Sequence, residues 1–283
     1  MLVKNTERYR LAALDMDGTL LNTDHVTTSY TRDVIRRVAQ SGKVAAISTG
    51  RCLSELWEHF EKLPDINYAI CENGACVYNI REKKIIHRIT FTHDQVLRVF
   101  EAAEGFDLKP QFFRDGQSCM QCSDVSEFYK YNVGDFTDVF VKTAIFVDDL
   151  RALYSAEKGG IGKFNLYCTC EEDKQAVWKK VADAVPELTL SDSIGVGVEV
   201  SPSGATKAVG LEKLCSWLGV TTENAMAIGD ASNDIEILKK AGLSVAMGNA
   251  TDEVKAIADV VTEDCDHDGA ARAIQRYMLG EEV

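Results

Sequence analysis

The chain has 283 residues, of which 46% are hydrophobic and 27% are charged, and its formal net charge is −13. This composition is typical of a globular protein, and the length is sufficient for two domains. The negative charge argues against a nucleic-acid partner, because proteins bind nucleic acids through lysine and arginine side chains that neutralise phosphates. No apolar stretch approaches the roughly 20 residues of a membrane-spanning helix, so no membrane partner is expected.

The amino-terminal residues 1–8 lack the apolar segment of a secretory signal, which predicts a cytoplasmic protein. The nine cysteines are therefore expected to be reduced thiols. A structural zinc site built from four of them is possible in principle. The second pair is spaced too tightly for the usual zinc-ligand loop, so buried or incidental thiols are the simpler interpretation. The four residues concerned are Cys119, Cys122, Cys168 and Cys170.

The first predicted strand is the uninterrupted apolar run Leu11–Leu14, which is typical of a parallel strand covered on both faces. It is followed by the acidic turn Asp15-Met16-Asp17-Gly18-Thr19. The carboxyl end of such a strand is where open α/β sheets bind ligands, so an acid there can act as a nucleophile or bind a hard cation. An ordinary turn rich in aspartate is the alternative, since aspartate and glycine are common turn formers.

Strand-like and helix-like segments alternate over the next 60 residues, which predicts βαβ units and a parallel sheet. A helix is predicted from Thr28 to Gly42, and a strand over Val44–Ile47 ends in Ser48-Thr49-Gly50-Arg51. A helix with Leu53, Leu56, Trp57 and Phe60 on one side follows, and the strand Tyr68–Ile70 leads into Glu72-Asn73-Gly74-Ala75.

The pattern becomes less regular between residues 85 and 194, which indicates a separate α/β unit. Strands are predicted over Lys142–Val147 and Lys163–Cys168, and Gly159-Gly160-Ile161-Gly162 is predicted to be a connector. A helix is predicted over Glu171–Val185, with inward-facing side chains at Ala176, Val177, Lys180, Val181 and Ala184.

The regular alternation returns near Gly195. A helix is predicted from Thr206 to Leu218, a strand over Ala225–Ile228 and a helix that ends at Gly242, and these are followed by two short strands, Ser244–Met247 and Asp259–Thr262. The simplest organisation is a discontinuous core of residues 1–84 and 195–283, with an α/β domain of residues 85–194 inserted at an exposed loop.

Four carboxylates follow the predicted core strands, two in the first acidic turn and two in Gly229-Asp230-Ala231-Ser232-Asn233-Asp234. The carboxyl ends of parallel strands share one edge of the sheet, so these groups are expected to converge. Four such charges cannot share a pocket without protonation or a cation. The donors are all oxygen atoms, which favours Mg²⁺.

A phosphate site is expected at the same edge. Thr49 and Gly50 offer a hydroxyl and an unhindered amide, and a predicted helix start binds anions through its amides and dipole. Lys207, at the opening of the next core helix, can supply a positive charge to the same phosphate. Each element has an ordinary structural alternative, because Thr49 and Asn233-Asp234 can be helix caps and Lys207 can be a solvated surface lysine.

Together these segments resemble the four motifs of the haloacid dehalogenase-like phosphatases, and the Cof-type subfamily of sugar-phosphate phosphatases is the closer match. The motifs, in order, are Asp15-x-Asp17-Gly18-Thr19, Thr49-Gly50-Arg51, Lys207 and Gly229-Asp230-x-x-Asn233-Asp234. Supporting signatures are Glu72-Asn73-Gly74-Ala75, Met247-Gly248-Asn249-Ala250 and Asp268-Gly269. Ala231 departs from the pattern, since the family often has a polar residue or glycine there.

The resemblance implies an α/β fold: a Rossmann-like parallel sheet core with helices on both faces, plus an inserted α/β cap domain that determines substrate specificity. It implies a Mg²⁺-dependent phosphatase that acts on a small phosphorylated metabolite, with hexose phosphates as the first expectation, and that exists as a monomer or homodimer. The implied site has a nucleophile, Asp15, and a proton shuttle, Asp17. The remaining members are metal ligands at Asp15, Asp17, Asp230 and Asp234, and phosphate- or substrate-binding groups at Thr49, Gly50, Arg51, Lys207 and Asn233.

Two rival functions stay open at this point. Related sugar-phosphate mutases carry the same four motifs and a similar cap, and an inactive sugar-phosphate-binding regulator would share the fold. The intact acids and lysine argue against the regulator. Within the predicted cap, pocket-lining and purely structural roles are both open for Arg114, Tyr129, Tyr131, Asp148 and Asp149.

Overall fold

The computed structural model describes residues 8–122, 125–156, 159–191 and 196–282. The chain forms two compact units. The first comprises the described parts of Met1–Gly50, His59–His87 and Thr206–Val283, and the second comprises those of Arg51–Glu58 and Arg88–Ala205. The predicted domain boundary between residues 194 and 195 lies outside the described residues.

In the described residues the strands, in chain order, are β1 (Leu11–Leu14), β2 (Val44–Ser48), β3 (Tyr68–Cys71), β4 (Cys76–Asn79), β5 (Lys84–Arg88), β6 (Leu108–Arg114), β7 (Gln117–Gln121), β8 (Ile145–Val147), β9 (Ile161–Cys168), β10 (Thr189–Ser191), β11 (Gly197–Ser201), β12 (Ala225–Gly229), β13 (Leu243–Ala246) and β14 (Val260–Val261).

The α-helices of the same residues are α1 (Ser29–Gln40), α2 (Trp57–Lys62), α3 (His93–Ala103), α4 (Thr137–Thr143), α5 (Leu150–Ala156), α6 (Glu171–Ala184), α7 (Lys207–Leu218), α8 (Ile235–Lys240), α9 (Asp252–Ile257) and α10 (Gly269–Ile274). Each of them is too short or too polar to span a lipid bilayer.

The first unit contains a sheet in the order β14-β13-β12-β1-β2-β3-β4-β5. The six strands from β14 to β3 pair in parallel, and β4 pairs antiparallel to β3. β1 lies between β12 and β2, with Leu11 in register with Ala225 and Val44. All four of its residues are buried, as expected for a central strand covered on both faces.

The predicted α/β class is therefore correct, with a mixed sheet and helices on both of its sides.

The residues at the helix ends explain where two of the helices begin and end. α1 begins after Thr28, whose hydroxyl accepts a hydrogen bond from the Thr31 amide, and its inner face buries Val34, Ile35 and Val38. α7 ends at Gly219, which adopts the left-handed conformation that commonly stops a helix.

The second unit contains a sheet in the order β10-β11-β9-β6-β7-β8. Its central strands pair antiparallel, with Phe112 in register with Phe164. One face of this sheet forms an apolar core with α3 and α6, in which Phe112, Phe164 and Val177 are buried. The alternation of side chains along each strand places these residues on one face and their neighbours on the other.

Several predicted elements differ in detail from the structure. Residues 142–147 are not one strand, because α4 occupies Thr137–Thr143 and buries Phe140 against Phe128, which outweighs the strand propensity of the neighbouring β-branched residues. The helix predicted around Leu53–Phe60 is a short 3-10 turn followed by α2, and Trp57 is exposed. Along α6, Val177 and Val181 are buried, whereas Ala176 and Lys180 are exposed.

The predicted connector at residues 159–162 is only partly a loop, since Ile161 already begins β9. The last predicted strand is also shorter than expected, since β14 covers only Val260 and Val261.

Candidate active site

Three neighbouring parallel strands of the first unit deliver polar residues to one edge of the sheet. Asp15 follows β1, Thr49 follows β2 and Asp230 follows β12. The backbone keeps the sheet register beyond the strand ends, since the Asp15 amide donates to the Ile228 carbonyl at 3.0 Å. Residues more than 200 positions apart in the sequence are thus brought together by strand order.

Lys207 lies at the centre of this group. Its Nζ donates to Oδ1 of Asp15 at 2.6 Å and to Oδ1 of Asp234 at 2.7 Å. The residue is 1% exposed. The alternative interpretation from the sequence, a solvated lysine on the surface, is therefore wrong. The Thr206 hydroxyl caps α7 by accepting from the Val209 amide, which fixes the helix start that carries Lys207.

Both carboxylate oxygens of Asp234 are engaged. Oδ1 accepts from Lys207, and Oδ2 accepts from the backbone amides of Asp230 and Ala231 at 3.0 and 3.2 Å. Gly229 makes room for this arrangement, because a Cβ at that position would lie 2.3 Å from Cγ of Asp234. Asp234 therefore orients Lys207 and also shapes the turn that presents Asp230.

Asp230 is held from the opposite side by the first acidic turn. The Thr19 hydroxyl donates to its Oδ1 at 2.8 Å. Gly18 has a φ of +76°, and a Cβ there would lie 2.6 Å from Oδ2 of Asp230. Sequence reasoning missed this role of Thr19, although the residue is part of the Asp-x-Asp-Gly-Thr segment.

Crowding of the acids shifts their protonation. Burial, followed by the charge of Asp234, raises the pKa of Asp15 well above its usual range, although Lys207 opposes that shift. Burial raises the pKa of Asp230 to about 6, against the hydrogen bond from Thr19. Burial disfavours the charge of Lys207, but Asp15 and Asp234 outweigh it and raise the pKa of the lysine.

Asp15, Asp230 and Asp234 form a group that could hold a metal ion. One carboxylate oxygen from each lies within 4.8 Å of the others. The donor set fits a hard divalent cation, because it consists of carboxylate oxygen atoms whose mutual repulsion a bound cation would relieve. Among the described residues, this is the one group of three or more histidine, cysteine or acidic side chains close enough to share a metal ion.

The remaining predicted site residues occupy different settings. Asp17 lies half-buried on the acidic turn and forms a β-bridge with Leu21. Thr49 is 2% exposed at the end of β2, and Gly50 follows it. Asn233 donates through Nδ2 to Oδ1 of Asn73 at 3.2 Å. Asn73 was not among the predicted site residues, although its segment was noted as a family signature.

Arg51 belongs to the second unit, whereas the other predicted site residues belong to the first. It is 9% exposed, and its positive charge opposes the burial that raises the pKa of Glu55. Arg51 therefore interacts electrostatically with an acidic residue of its own unit.

The candidate cap residues are not alike. Tyr129 is 75% exposed, whereas Tyr131 is buried and its hydroxyl donates to Asp107 at 2.6 Å. The Asp149 carboxylate accepts from the Ala152 amide at the start of α5. Tyr131 and Asp149 thus have structural contacts within the second unit.

The four cysteines considered for zinc are present as thiols. Cys119, Cys122 and Cys168 are buried and Cys170 is half-buried. Burial raises the pKa of Cys168 to about 11, which disfavours the thiolate that zinc requires. No group of potential metal ligands within the described residues includes any of the four.

A comparison with protein families agrees with this geometry. The family model of the haloacid dehalogenase-like hydrolases matches residues 12–274. The chain belongs to this family. The match covers both the core strands and the segment inserted between them.

Curated relatives and solved structures extend the finding. The hydrolase is 32% identical over 274 residues to the 5-amino-6-(5-phospho-D-ribitylamino)uracil phosphatase YcsE of Bacillus subtilis, covering 95% of this chain and 96% of the relative. It is 25% identical to the pyridoxal phosphate phosphatase YbhA of Escherichia coli, covering 95% and 99%. A haloacid dehalogenase-like hydrolase structure from B. subtilis superimposes with a TM-score of 0.86 at 25% identity, covering 94% and 99%.

These relatives and the family membership identify the protein as a phosphoric monoester hydrolase. The predicted enzyme class is therefore confirmed.

Proposed function

We propose that this hydrolase is a Mg²⁺-dependent phosphatase that releases phosphate from a small sugar phosphate through an aspartyl-phosphate intermediate. The observation that carries the proposal is the position of Asp15, whose carboxylate bonds to Lys207 beside Asp230 and Asp234. A nucleophile held in this way has a fixed orientation. The neighbouring ammonium group, together with a cation bound by the acids, would stabilise the charge of the phosphoryl group.

In the first step, a carboxylate oxygen of Asp15 attacks phosphorus in line with the ester oxygen. The bond from phosphorus to the Asp15 oxygen forms as the bond to the leaving oxygen breaks. Asp17 donates its proton to that oxygen, so the alcohol leaves neutral. Asp17 is suited to this role because it is half-buried on the same turn, two residues after Asp15.

In the second step, water attacks the phosphorus of the aspartyl-phosphate. Asp17, now ionised, accepts a proton from that water, and the bond between Asp15 and phosphorus breaks to release inorganic phosphate. One residue thereby acts as acid and then as base, and the free enzyme is restored.

We assign the metal to the carboxylates of Asp15 and Asp230 and the backbone carbonyl of Asp17, with Asp234 bound directly or through water. When bound, Mg²⁺ supplies positive charge that balances the phosphate oxygens and the neighbouring acids. Asp234 also holds Lys207, so its contribution to the site does not depend on direct contact with the metal.

We assign the phosphoryl oxygens to the Thr49 hydroxyl, the Gly50 amide, Lys207 and the Asn233 amide. In phosphoryl transfer the protein contributes mainly positioning and electrostatic stabilisation, and these groups supply both. Lys207 keeps its positive charge throughout the neutral pH range, because Asp15 and Asp234 raise its pKa. Arg51 stays a predicted substrate-binding residue.

The proposed substrate is a sugar or sugar-alcohol phosphate. Two of the curated relatives with 29% and 32% identity are named as phosphatases of 5-amino-6-(5-phospho-D-ribitylamino)uracil, whose phosphate is carried by a ribityl chain. We propose that the inserted domain, predicted as residues 85–194, selects the leaving group and excludes water from the reaction.

Phosphate release from a panel of esters tests the proposal. The panel contains p-nitrophenyl phosphate, hexose phosphates, the ribitylamino-uracil phosphate and pyridoxal phosphate, each with Mg²⁺ and with EDTA. We expect release with Mg²⁺ and loss of release with EDTA, with the highest kcat/KM for a sugar or ribityl phosphate. Equal rates with and without EDTA would refute the metal assignment.

The same panel separates the two rival functions. A mutase would convert a sugar phosphate into its isomer when a sugar bisphosphate is added, with little free phosphate. A binding regulator would retain affinity for sugar phosphates and release none. Either result would overturn the proposed reaction.

A further inference from the structure

The turn after β3 has an unusual backbone. Glu72, Asn73 and Gly74 follow one another with φ values of 55°, 52° and 92°. The left-handed region is uncommon for residues other than glycine, and consecutive occurrences are costly unless the surroundings hold them. Asn73 is only 5% exposed, so the residues packed around it in the first unit can hold its backbone in this conformation.

Asn73 contacts two elements that carry predicted phosphoryl ligands. Its backbone amide donates to the Thr49 carbonyl at 3.2 Å, at the end of β2. Its side-chain Oδ1 accepts from Nδ2 of Asn233 at 3.2 Å, in the turn after β12. One residue thus links Thr49 and Asn233, which are 184 positions apart in the sequence (233 − 49).

The same turn is packed against the start of α7. A Cβ on Gly74 would lie 1.9 Å from the Thr206 carbonyl oxygen and 3.0 Å from the Lys207 nitrogen. The backbone of the turn therefore sits directly against the residue that supplies the ammonium group. The turn touches Thr49, Asn233 and Lys207, the three residues to which we assign phosphoryl oxygens through side chains.

We propose that Asn73 is a positioning residue that aligns Asn233 and Thr49 for binding the phosphoryl group. This inference rests on the proposed function. A carboxamide has two N–H donors, and the bond to Asn73 uses one of them, which sets the plane of the Asn233 amide. Asparagine suits this position because it tolerates the left-handed region better than most residues and provides a side-chain acceptor.

The substitution Asn73→Gly isolates the side-chain contribution, because glycine adopts a positive φ without strain. We expect the dissociation constant of inorganic phosphate, measured by calorimetry with Mg²⁺ present, to rise about three- to tenfold, as for the loss of one hydrogen bond. KM for p-nitrophenyl phosphate should rise by a similar factor. The melting temperature identifies any general loss of folding.

A matched control is available in the second unit. Asn132 also has a positive φ, of 58°, and its side chain donates to the carbonyls of Cys168 and Thr169. Asn132→Gly makes the same chemical change at a left-handed asparagine. We expect it to leave the phosphate dissociation constant unchanged.

A double-mutant cycle provides the decisive readout. If Asn73 acts through Asn233, the variant carrying Asn73→Gly and Asn233→Ala should bind phosphate no more weakly than Asn233→Ala alone. Additive losses, or an unchanged dissociation constant in Asn73→Gly, would overturn the inference.

The cycle also separates this inference from the proposed function. If the wild-type protein binds phosphate with the predicted coupling but hydrolyses no ester, the positioning role stands and the proposed reaction falls. If it hydrolyses esters and the two substitutions are additive, the reaction stands and the positioning role falls. Failure of the wild-type protein to bind phosphate in the presence of Mg²⁺ would contradict both.

Discussion

The ammonium group of Lys207 bonds to the carboxylate of Asp15 at a distance of 2.6 Å, and both residues are buried. Breaking a buried ion pair by removing one partner is costly, because an uncompensated charge stays behind. This contact therefore matters to the folding of the first unit and to the orientation of its proposed nucleophile.

Lys207→Met should remove about 3–5 kcal/mol from the free energy of unfolding at neutral pH in EDTA. Denaturant unfolding measures the loss. Adding Asp15→Asn to this variant should restore part of the stability, since the second substitution removes a buried charge, while phosphate release stays absent. A Lys207→Met variant within about 1 kcal/mol of the wild type would show that the ion pair is energetically unimportant.

Gly18→Ala should weaken Mg²⁺ binding, because the new Cβ would lie 2.6 Å from Oδ2 of Asp230. Gly42→Ala is the matched control, since Gly42 has a similar φ of +72° but a Cβ added there would meet no atom within 4 Å. Both substitutions should cost about 1 kcal/mol of stability through the left-handed backbone. Titration with Mg²⁺ should distinguish them, and equal affinities in the two variants would contradict the role given to Asp230.

The stability of the metal-free protein should depend on Asp230. Because burial raises its pKa from 3.8 to about 6, the native state binds this proton more tightly than the unfolded state. The resulting stabilisation is fully present below about pH 4 and is lost as the pH rises through 6.

Asp230→Asn should therefore be more stable than the wild type at pH 8 in EDTA, by about 1–2 kcal/mol once solvent screening is considered. The advantage should shrink as the pH falls towards 4. Added Mg²⁺ should stabilise the wild type and not the variant. Thermal unfolding in the two buffers measures this, and a variant that is less stable at pH 8 in EDTA would disprove the assignment.

Asp17→Asn should abolish turnover and leave Mg²⁺ affinity nearly unchanged, because the metal is assigned to the Asp17 backbone carbonyl. Asp230→Asn, which alters an assigned side-chain ligand, serves as the comparison and should lose affinity. Calorimetric titration with Mg²⁺ compares the two variants. Loss of affinity in Asp17→Asn equal to that in Asp230→Asn would show that the Asp17 carboxylate binds the metal.

Much of the core was predictable from the sequence because the relevant signals are local. Leu11–Leu14 is predicted residue for residue, since an unbroken apolar run between polar segments leaves few alternatives for a central strand. The limits of α1 and α7 follow from the capping residues Thr28 and Thr206 and from a glycine after α7. The acids at strand ends converge because parallel strands share an edge.

The contacts within the site were less predictable because they join distant segments. Lys207 could be placed at a helix start, but its simultaneous bonds to Asp15 and Asp234 depend on strand order and side-chain packing. The support from Thr19 and Asn73 was missed for the same reason. The cytoplasmic location, the oligomeric state and the limits of the cap stay predictions.

The central claim is that Asp15 carries the phosphoryl group during hydrolysis. Acid quenching of the enzyme during turnover of p-nitrophenyl phosphate with Mg²⁺, followed by peptide mass spectrometry, tests it directly. We expect a phosphorylated peptide that contains Asp15 in the wild type and none in Asp15→Asn. The Asp17→Asn variant should accumulate more of this peptide if the substitution slows hydrolysis of the aspartyl-phosphate more than it slows the attack of Asp15 on the ester. An Asp15→Asn variant that still turns over the ester at the wild-type rate, or a phosphoryl group on another residue, would contradict the account.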